Sequence, residues 1–366
     1  LDYLHINQYN YMQKERCMMR KFDYSFLKNG LIPVKIMNLT SDIASLKTMG
    51  KVRKDEHMRI FSELESIAKI QSIKSSNAIE GIVTSDERIA AIVNQNSAPL
   101  NHDEAEIAGY RDALNEVHIN YAHVNFLQSD ILRLHEMMMS LAGYEFGGRY
   151  KTEDNVILEV DSSGQRRVRF RPAPATETAD AMEQLTLAYM EARDDAGINQ
   201  LLLIPCVILD FLCIHPFRDG NGRISRLLSL LLLYKNGYDV GRYISFEEQI
   251  NNYKAYYYDA LQQSSSGWEN NENNYFPFIE NFLFTLYLCY KELDKRFAVV
   301  HGKKVNKMTR IEATVLNSLT PISKAEICNI LPDVSPTTVE AVLGNMVKSG
   351  SIMKIGKGRA TRYKKS

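Results

Sequence analysis

The stretch HPFRDGNGRISR, residues 215–226, lies between two strongly apolar runs, LLLIPCVILDFLCI (201–214) and LLSLLLLY (227–234). Both runs read as buried helices, because Pro205 and Asp210 interrupt the first and the second is too short to cross a bilayer. A plain turn between them would account for the glycines, Asn221 and Asp219. It would not account for a histidine and three arginines within the same twelve positions. The segment DGNG leads into a helix expected to begin near Asn221. Amides left bare by Gly220 and Gly222 would then point outward from a helix N-terminus, where they can cradle a phosphate. Arg223 and Arg226, three apart on one helical face, are placed for further phosphate oxygens. Asp219 offers the carboxylate that a phosphate-bound Mg2+ needs. His215, a residue type that ordinarily titrates near neutrality, suits the removal of a proton from a hydroxyl.

Composition sets the frame for that site. At 366 residues and 45% hydrophobic, the chain has the size of two or three domains, each with a core. Its 44 basic and 44 acidic side chains cancel, so no global field argues for nucleic acid or membrane as the principal partner. From Lys303 to Ser366, however, twelve Lys or Arg face four Asp or Glu. The five cysteines (Cys17, Cys206, Cys213, Cys289 and Cys328) are odd in number and lack a C-x-x-C pair. A disulfide framework and a zinc site are therefore not expected, and a reducing, cytoplasmic setting is. The chain begins at Leu1, and no charged-then-apolar leader is visible in it.

Helical periodicity dominates, so the fold class is mainly α. The exception is NVILEVDSSGQRRVRFRP (155–172), two β-prone runs around DSSG that read as a hairpin ending at Pro172. After it, two helices are expected with a break near Gly197. Upstream, LESIAKIQSIKSSNAIEG spaces Leu64, Ile67, Ile70, Ile73 and Ile79 as a helix that stops at Gly81. TSDE then offers a capping box, Thr84 or Ser85 with Glu87. From about Lys303 the pattern is three helices followed by SIMKIGKGRATRYKK, two β-prone runs around GKG, as in a winged helix-turn-helix.

HPFRDGNGRISR resembles the signature H-x-F-x-D-G-N-G-R-x-x-R of Fic-domain proteins at every fixed position. The resemblance implies a Fic helical domain with ATP and Mg2+ as cofactors, and transfer of AMP to a Ser, Thr or Tyr hydroxyl of a protein target, the chain itself included. It implies His215 as base, Asp219 as metal ligand and Gly220, Asn221 and Gly222 as phosphate cradle. Arg223 and Arg226 would hold the outer phosphates, with Phe217 as a core anchor. The hairpin stands where the family carries a flap that aligns the target by strand addition. YYYDALQQ (256–263) resembles its aromatic-rich helix beside the adenine. A kinase variant of the family would need Lys in place of Gly222, and no G-x-x-x-x-G-K-[ST] loop supports a conventional nucleotide kinase or GTPase.

SSNAIEG matches the family's inhibitory pattern through Ser76, Glu80 and Gly81. Ser76 and Glu80, four apart, share one helix face, and the resemblance implies that Glu80 pairs with Arg226 and displaces the γ-phosphate. Alternative activities are removal of AMP by the same site, with Glu80 positioning a water, or a DNA-binding regulator with a Fic-derived nucleotide sensor. The expected organisation is an N-terminal helical region with the inhibitory helix (1–105), a Fic catalytic domain (106–300) and a winged helix-turn-helix (301–366). The tail's excess charge suits DNA. Its expected reading helix, SPTTVEAVLGNMVKSG, instead presents Thr337, Thr338 and Glu340, which suits a protein partner or a second copy in a homodimer.

Overall fold

The computed structural model describes residues 20–160, 166–301, 307–316, 318, 321–356, 358 and 361–366. Its helices are α1 Phe26–Asn29, α2 Val34–Glu56, α3 Met58–Ile79, α4 Asp86–Asn94, α5 His102–Asn120, α6 Gln128–Ser140, α7 Thr178–Asp194, α8 Gln200–Ile214, α9 Asn221–Lys235, α10 Phe246–Asn252, α11 Lys254–Ser265, α12 Phe276–His301, α13 Lys307–Leu316, α14 Lys324–Ile330 and α15 Pro336–Lys348. The strands are β1 Ile157–Val160, β2 Arg166–Phe170, β3 Ile322–Ser323, β4 Ile352–Ile355 and β5 Arg362–Lys365. The fold is mainly α, as the periodicity predicts.

Helix α8 is the centre. It has no polar face, and every residue from Leu201 to Ile214 is buried, the behaviour of a helix apolar all round. Helices α7, α9 and α12 pack on it, α5 crosses α9, and α3 lies against α5 and α10. Both apolar runs flanking residues 215–226 are thus core, and the polar loop is fixed between two buried helices. No helix among the described residues is long and apolar enough to cross a membrane.

Local signals are met where they depend on local chemistry. The break near Gly197 separates α7 from α8, with the Asn199 side chain capping α8 through the Leu201 amide at 2.9 Å. Helix α3 ends at Ile79, and Gly81 follows with φ 85°. The capping box at TSDE is only half made: Ser85 accepts from the Arg88 amide, while Thr84 donates to Glu104 at 3.0 Å. The partner in N3 position is Arg88, which has no carboxylate to return the bond. Strands β1 and β2 pair antiparallel, and the DSSG turn lies outside the described residues, as do Lys357, Arg359 and Ala360 of the expected wing. In the tail, β3 joins β4 and β5 in a three-stranded sheet ordered β3-β5-β4. The sequence shows two of these strands, since two residues are too few for a period-2 pattern.

Asp210 breaks the apolarity of α8, and the N-terminal segment and the stretch 268–275 satisfy it together. Its carboxylate accepts from the Tyr24 hydroxyl at 2.8 Å, the Trp268 indole at 2.6 Å and the Tyr275 hydroxyl, and Arg20 lies 3.3 Å away. Arg20 also donates to the Trp268 carbonyl and to Asn273, so the polar loop 264–274 is tied to the core. Removing one partner of a buried charge pair leaves the other uncompensated. Asp210→Ala is therefore expected to lower stability by about 3–5 kcal/mol in urea unfolding; a loss of under about 1 kcal/mol, the size of an exposed pair, would show that the cluster does not hold the loop.

Candidate active site

The loop 215–220 begins where α8 ends in a left-handed residue. His215 takes φ 52°, which for a non-glycine costs of order 1–3 kcal/mol and persists only when the surroundings enforce it. Several contacts enforce it. Asn221 clasps Phe217 from both sides, its Oδ1 accepting from the Phe217 amide at 2.9 Å and its Nδ2 donating to the Phe217 carbonyl at 2.8 Å. The Phe217 ring stacks on His135, centroids 3.7 Å apart. His135 Nδ1 accepts from the Gly148 amide at 3.0 Å, so the proton sits on Nε2, which donates to the Asp219 carbonyl at 3.0 Å. Burial pushes His135 down to about 4, which keeps it neutral in this role. Lys151, also buried, donates to Asn155 and to the Ile214 carbonyl, and desolvation lowers it to about 8.

His215 Nδ1 lies 3.3 Å from the Leu212 carbonyl. As donor there, it leaves Nε2 as the basic nitrogen. Burial pushes His215 down to about 4, the Leu212 hydrogen bond opposing this and the nearby Lys151 cation adding to it. The imidazole is therefore neutral at physiological pH and able to accept a proton.

Helix α9 starts at Asn221, where the sequence places it, from a left-handed Gly220 with φ 82°. The first helical bond runs from the Ile224 amide to the Gly220 carbonyl at 2.9 Å, so the amides of Asn221, Gly222 and Arg223 have no partner within the helix. A side chain on Gly222 would collide with Glu80 Oε1, so the Glu80 carboxylate lies against Gly222 in the first turn of α9. Asp219 is exposed, with Oδ1 accepting from the Gly220 amide at 2.6 Å.

The two arginines of α9 part company. Arg226, 2% exposed, donates from Nε to Ser76 Oγ at 2.8 Å, and from Nη2 to the Ser76 carbonyl at 2.9 Å and Glu80 Oε1 at 2.8 Å. Arg223, 1% exposed, is held by Glu106 at 2.6 Å and lies 3.6 Å from Asp219. The expectation that both reach outward from one face meets a different geometry: α5 supplies a carboxylate for the first and α3 the partners of the second. Burial works against Glu80 ionising, but Arg226 outweighs it and holds the carboxyl below its ordinary range. Behind Arg226, the buried Glu247 accepts from Tyr110 at 3.1 Å and Ser245 at 3.3 Å, and Ser245 bonds Ser72 of α3 at 2.9 Å.

These groups open on a cavity of about 190 Å³ lined by Glu80, His215, Gly222, Arg226, Tyr257 and Tyr258. The hairpin closes one side with Ile157 and Phe170, and Arg169 anchors it to the Tyr258 carbonyl at 2.5 Å. Of the residues singled out in the sequence, Glu80, Gly222, Arg226 and His215 meet here, Ser76 holds Arg226 from beneath, and Asp219 and Arg223 lie outside the lining. His135, Lys151, Glu106 and Glu247 carry no sequence signal, because each acts through a partner distant in the chain.

Residues 125–233 match the Fic/DOC family. Over 209 residues the chain is 27% identical to a protein adenylyltransferase Fic from Nematostella vectensis, the match covering 55% of this chain and 44% of that one. It is 31% identical over 85 residues to a Fido domain-containing protein from Dictyostelium discoideum, covering 23% and 57%. The chain thus spans about half the length of these curated relatives. In structure it resembles a Fic family protein from Desulfovibrio desulfuricans G20, with a TM-score of 0.62, 20% identity and coverage of 92% and 97%. Residues 125–233 of the chain thus carry a domain that matches the Fic/DOC family.

Proposed function

We propose that this chain is a protein adenylyltransferase that moves AMP from ATP to a hydroxyl side chain of a protein, and that its own Glu80 restrains it. One observation carries the reading: the Glu80 carboxylate stands against Gly222 in the first turn of α9 while pairing with Arg226. An anion site filled from within the chain is what a phosphate site under restraint looks like. Fic domain proteins are typically AMP transferases, and the Nematostella relative bears that name.

On this reading the amides of Asn221 and Gly222 take the inner phosphates of ATP and Arg226 the outer ones. His215 Nε2 removes the proton as the target oxygen attacks the α-phosphorus. The bond from that phosphorus to its bridging oxygen breaks, and pyrophosphate leaves. Asp219 is the Mg2+ ligand. No cluster of three or more His, Cys, Asp or Glu stands ready for a metal among the described residues, and Mg2+ commonly uses one or two carboxylates plus substrate phosphates, so an exposed single carboxylate fits. When bound, the ion neutralises charge on the phosphate oxygens. Arg223, between Glu106 and Asp219, orients the Asp219 carboxylate. The two-stranded hairpin leaves one edge of each strand unpaired among the described residues, which supports docking of an extended target segment.

We read the tail as a winged helix that meets a protein partner. Glu340, paired with Lys324 at 2.5 Å, stands exposed on α15 beside Thr337, and a carboxylate there opposes a phosphate backbone. Duplex DNA titrated at low salt is expected to show no binding; affinity that falls steeply with salt would return the tail to DNA.

A charge-assisted bond is worth about 1.5–3 kcal/mol, so Glu80→Gly is expected to raise AMP incorporation from labelled ATP by about 10- to 100-fold. Adding His215→Ala should abolish it. Absence of transfer by Glu80→Gly even at high enzyme concentration would overturn the transferase reading.

The pH profile has a definite sign. A histidine held at about 4 is an unprotonated base above that pH, and Glu80, which favours its charged form, is gone from the variant. Activity of Glu80→Gly should therefore stay flat from about pH 8 down to about pH 5. Half-loss at about pH 6.5, the ordinary histidine value, would contradict the depressed base.

A further inference from the structure

A second cavity, about 380 Å³, shares no lining residue with the first. Three lysines of α2, Lys47, Lys51 and Lys54, line it at spacings of four and three, which place them on one helix face. Facing them are the rings of Phe61, Tyr243 and Tyr290. Phe61 and Tyr243 meet edge to face at 4.9 Å. Tyr290 is 4% exposed, and its hydroxyl has no hydrogen-bond partner.

The charges here are not balanced from within. Lys54 is paired with Asp239 at 2.8 Å. Lys47 lies 3.9 Å over the Tyr238 ring and donates to the Asn236 carbonyl at 3.3 Å. Neither Lys47 nor Lys51 has a carboxylate partner among the described residues, although Asp55 also lines the cavity. Burial pushes the Lys47 ammonium below its ordinary value; Asp239 opposes this and Lys51 adds to it. A half-buried cation without a carboxylate partner, beside a wall of rings, is the complement of a ring that carries negative charge. The volume exceeds the lower bound of about 300 Å³ for small-molecule sites.

We propose that this cavity binds a small phosphate-bearing aromatic compound, with its ring against Phe61, Tyr243 and Tyr290 and its phosphate on Lys47 and Lys51. The site stands apart from the transferase reading and survives its failure. Its position adds interest. Phe61 is on the first turn of α3 and Tyr234, also in the lining, is on the last turn of α9. An occupant would therefore touch the ends of the two helices whose other ends carry Glu80 and Arg226.

Pyridoxal 5′-phosphate is a suitable probe on the full chain. Its aldehyde condenses with an unprotonated lysine amine and releases water, and borohydride reduces the imine to a secondary amine that peptide mass spectrometry locates. Lys47 or Lys51 should be labelled about tenfold faster than the exposed Lys291, the ratio that one charge-assisted contact supplies. Pyridoxal without its phosphate should show no such preference, and Lys51→Glu, an exposed change, should remove most of it. Equal rates at Lys47, Lys51 and Lys291, or the same preference with unphosphorylated pyridoxal, would overturn the proposal.

Discussion

A guanidinium that cannot lose its proton, held 2% exposed at Arg226, is the constraint around which this fold is arranged. Burying such a charge is tolerable only with close acceptors and a counter-ion. α3 supplies all of them within one turn: the Ser76 hydroxyl, the Ser76 carbonyl and the Glu80 carboxylate. The end of α3 is thereby fixed against the start of α9, where the helix dipole also favours a negative group. The second anchor of α3, Ser72 on Ser245, leads to Glu247 and brings another carboxylate behind the same arginine. The N-terminal helices are therefore part of the site's electrostatics.

Two titrations set the condition of the site, and both lie below neutrality. Arg226 holds Glu80 below the ordinary carboxylate range against its burial, and burial pushes His215 down to about 4. Near neutral pH the carboxylate is charged and the imidazole is not. On the proposed reading, mild acid cannot serve as a release signal, because the pH that discharged Glu80 would also protonate the base. Displacement of Glu80 then has to come from a competing anion or a movement of α3.

What was legible in the sequence follows the range of the interactions. The start of α9 at Asn221, the stop at Gly81 and the break near Gly197 depend on residues a few places apart, and the structure places them as expected. The pairing of Glu80 with Arg226 was reachable only through a family resemblance, since no local rule joins residues so far apart. Arg223 shows where spacing misleads. Its three-residue offset from Arg226 suggests a shared task, but which charge it meets is decided by Glu106 on α5, a helix whose packing the sequence does not specify. Asp210 read as an interruption in an apolar run; only the fold reveals that Arg20, Tyr24, Trp268 and Tyr275 converge on it.

The loop 215–220 ties these levels together. A proton acceptor and an anion cradle are useful only if their relative position is set before a substrate arrives. The left-handed backbone at His215 is held by contacts on both sides of it: the Asn221 clasp and the His135 stack, both on Phe217, and the Lys151 bond to Ile214. This explains why a stretch dense in polar groups sits between two buried helices. Their rigidity fixes both ends of the loop, and the low dielectric around them keeps His215 neutral and strengthens the hold of Arg226 on any anion that reaches it.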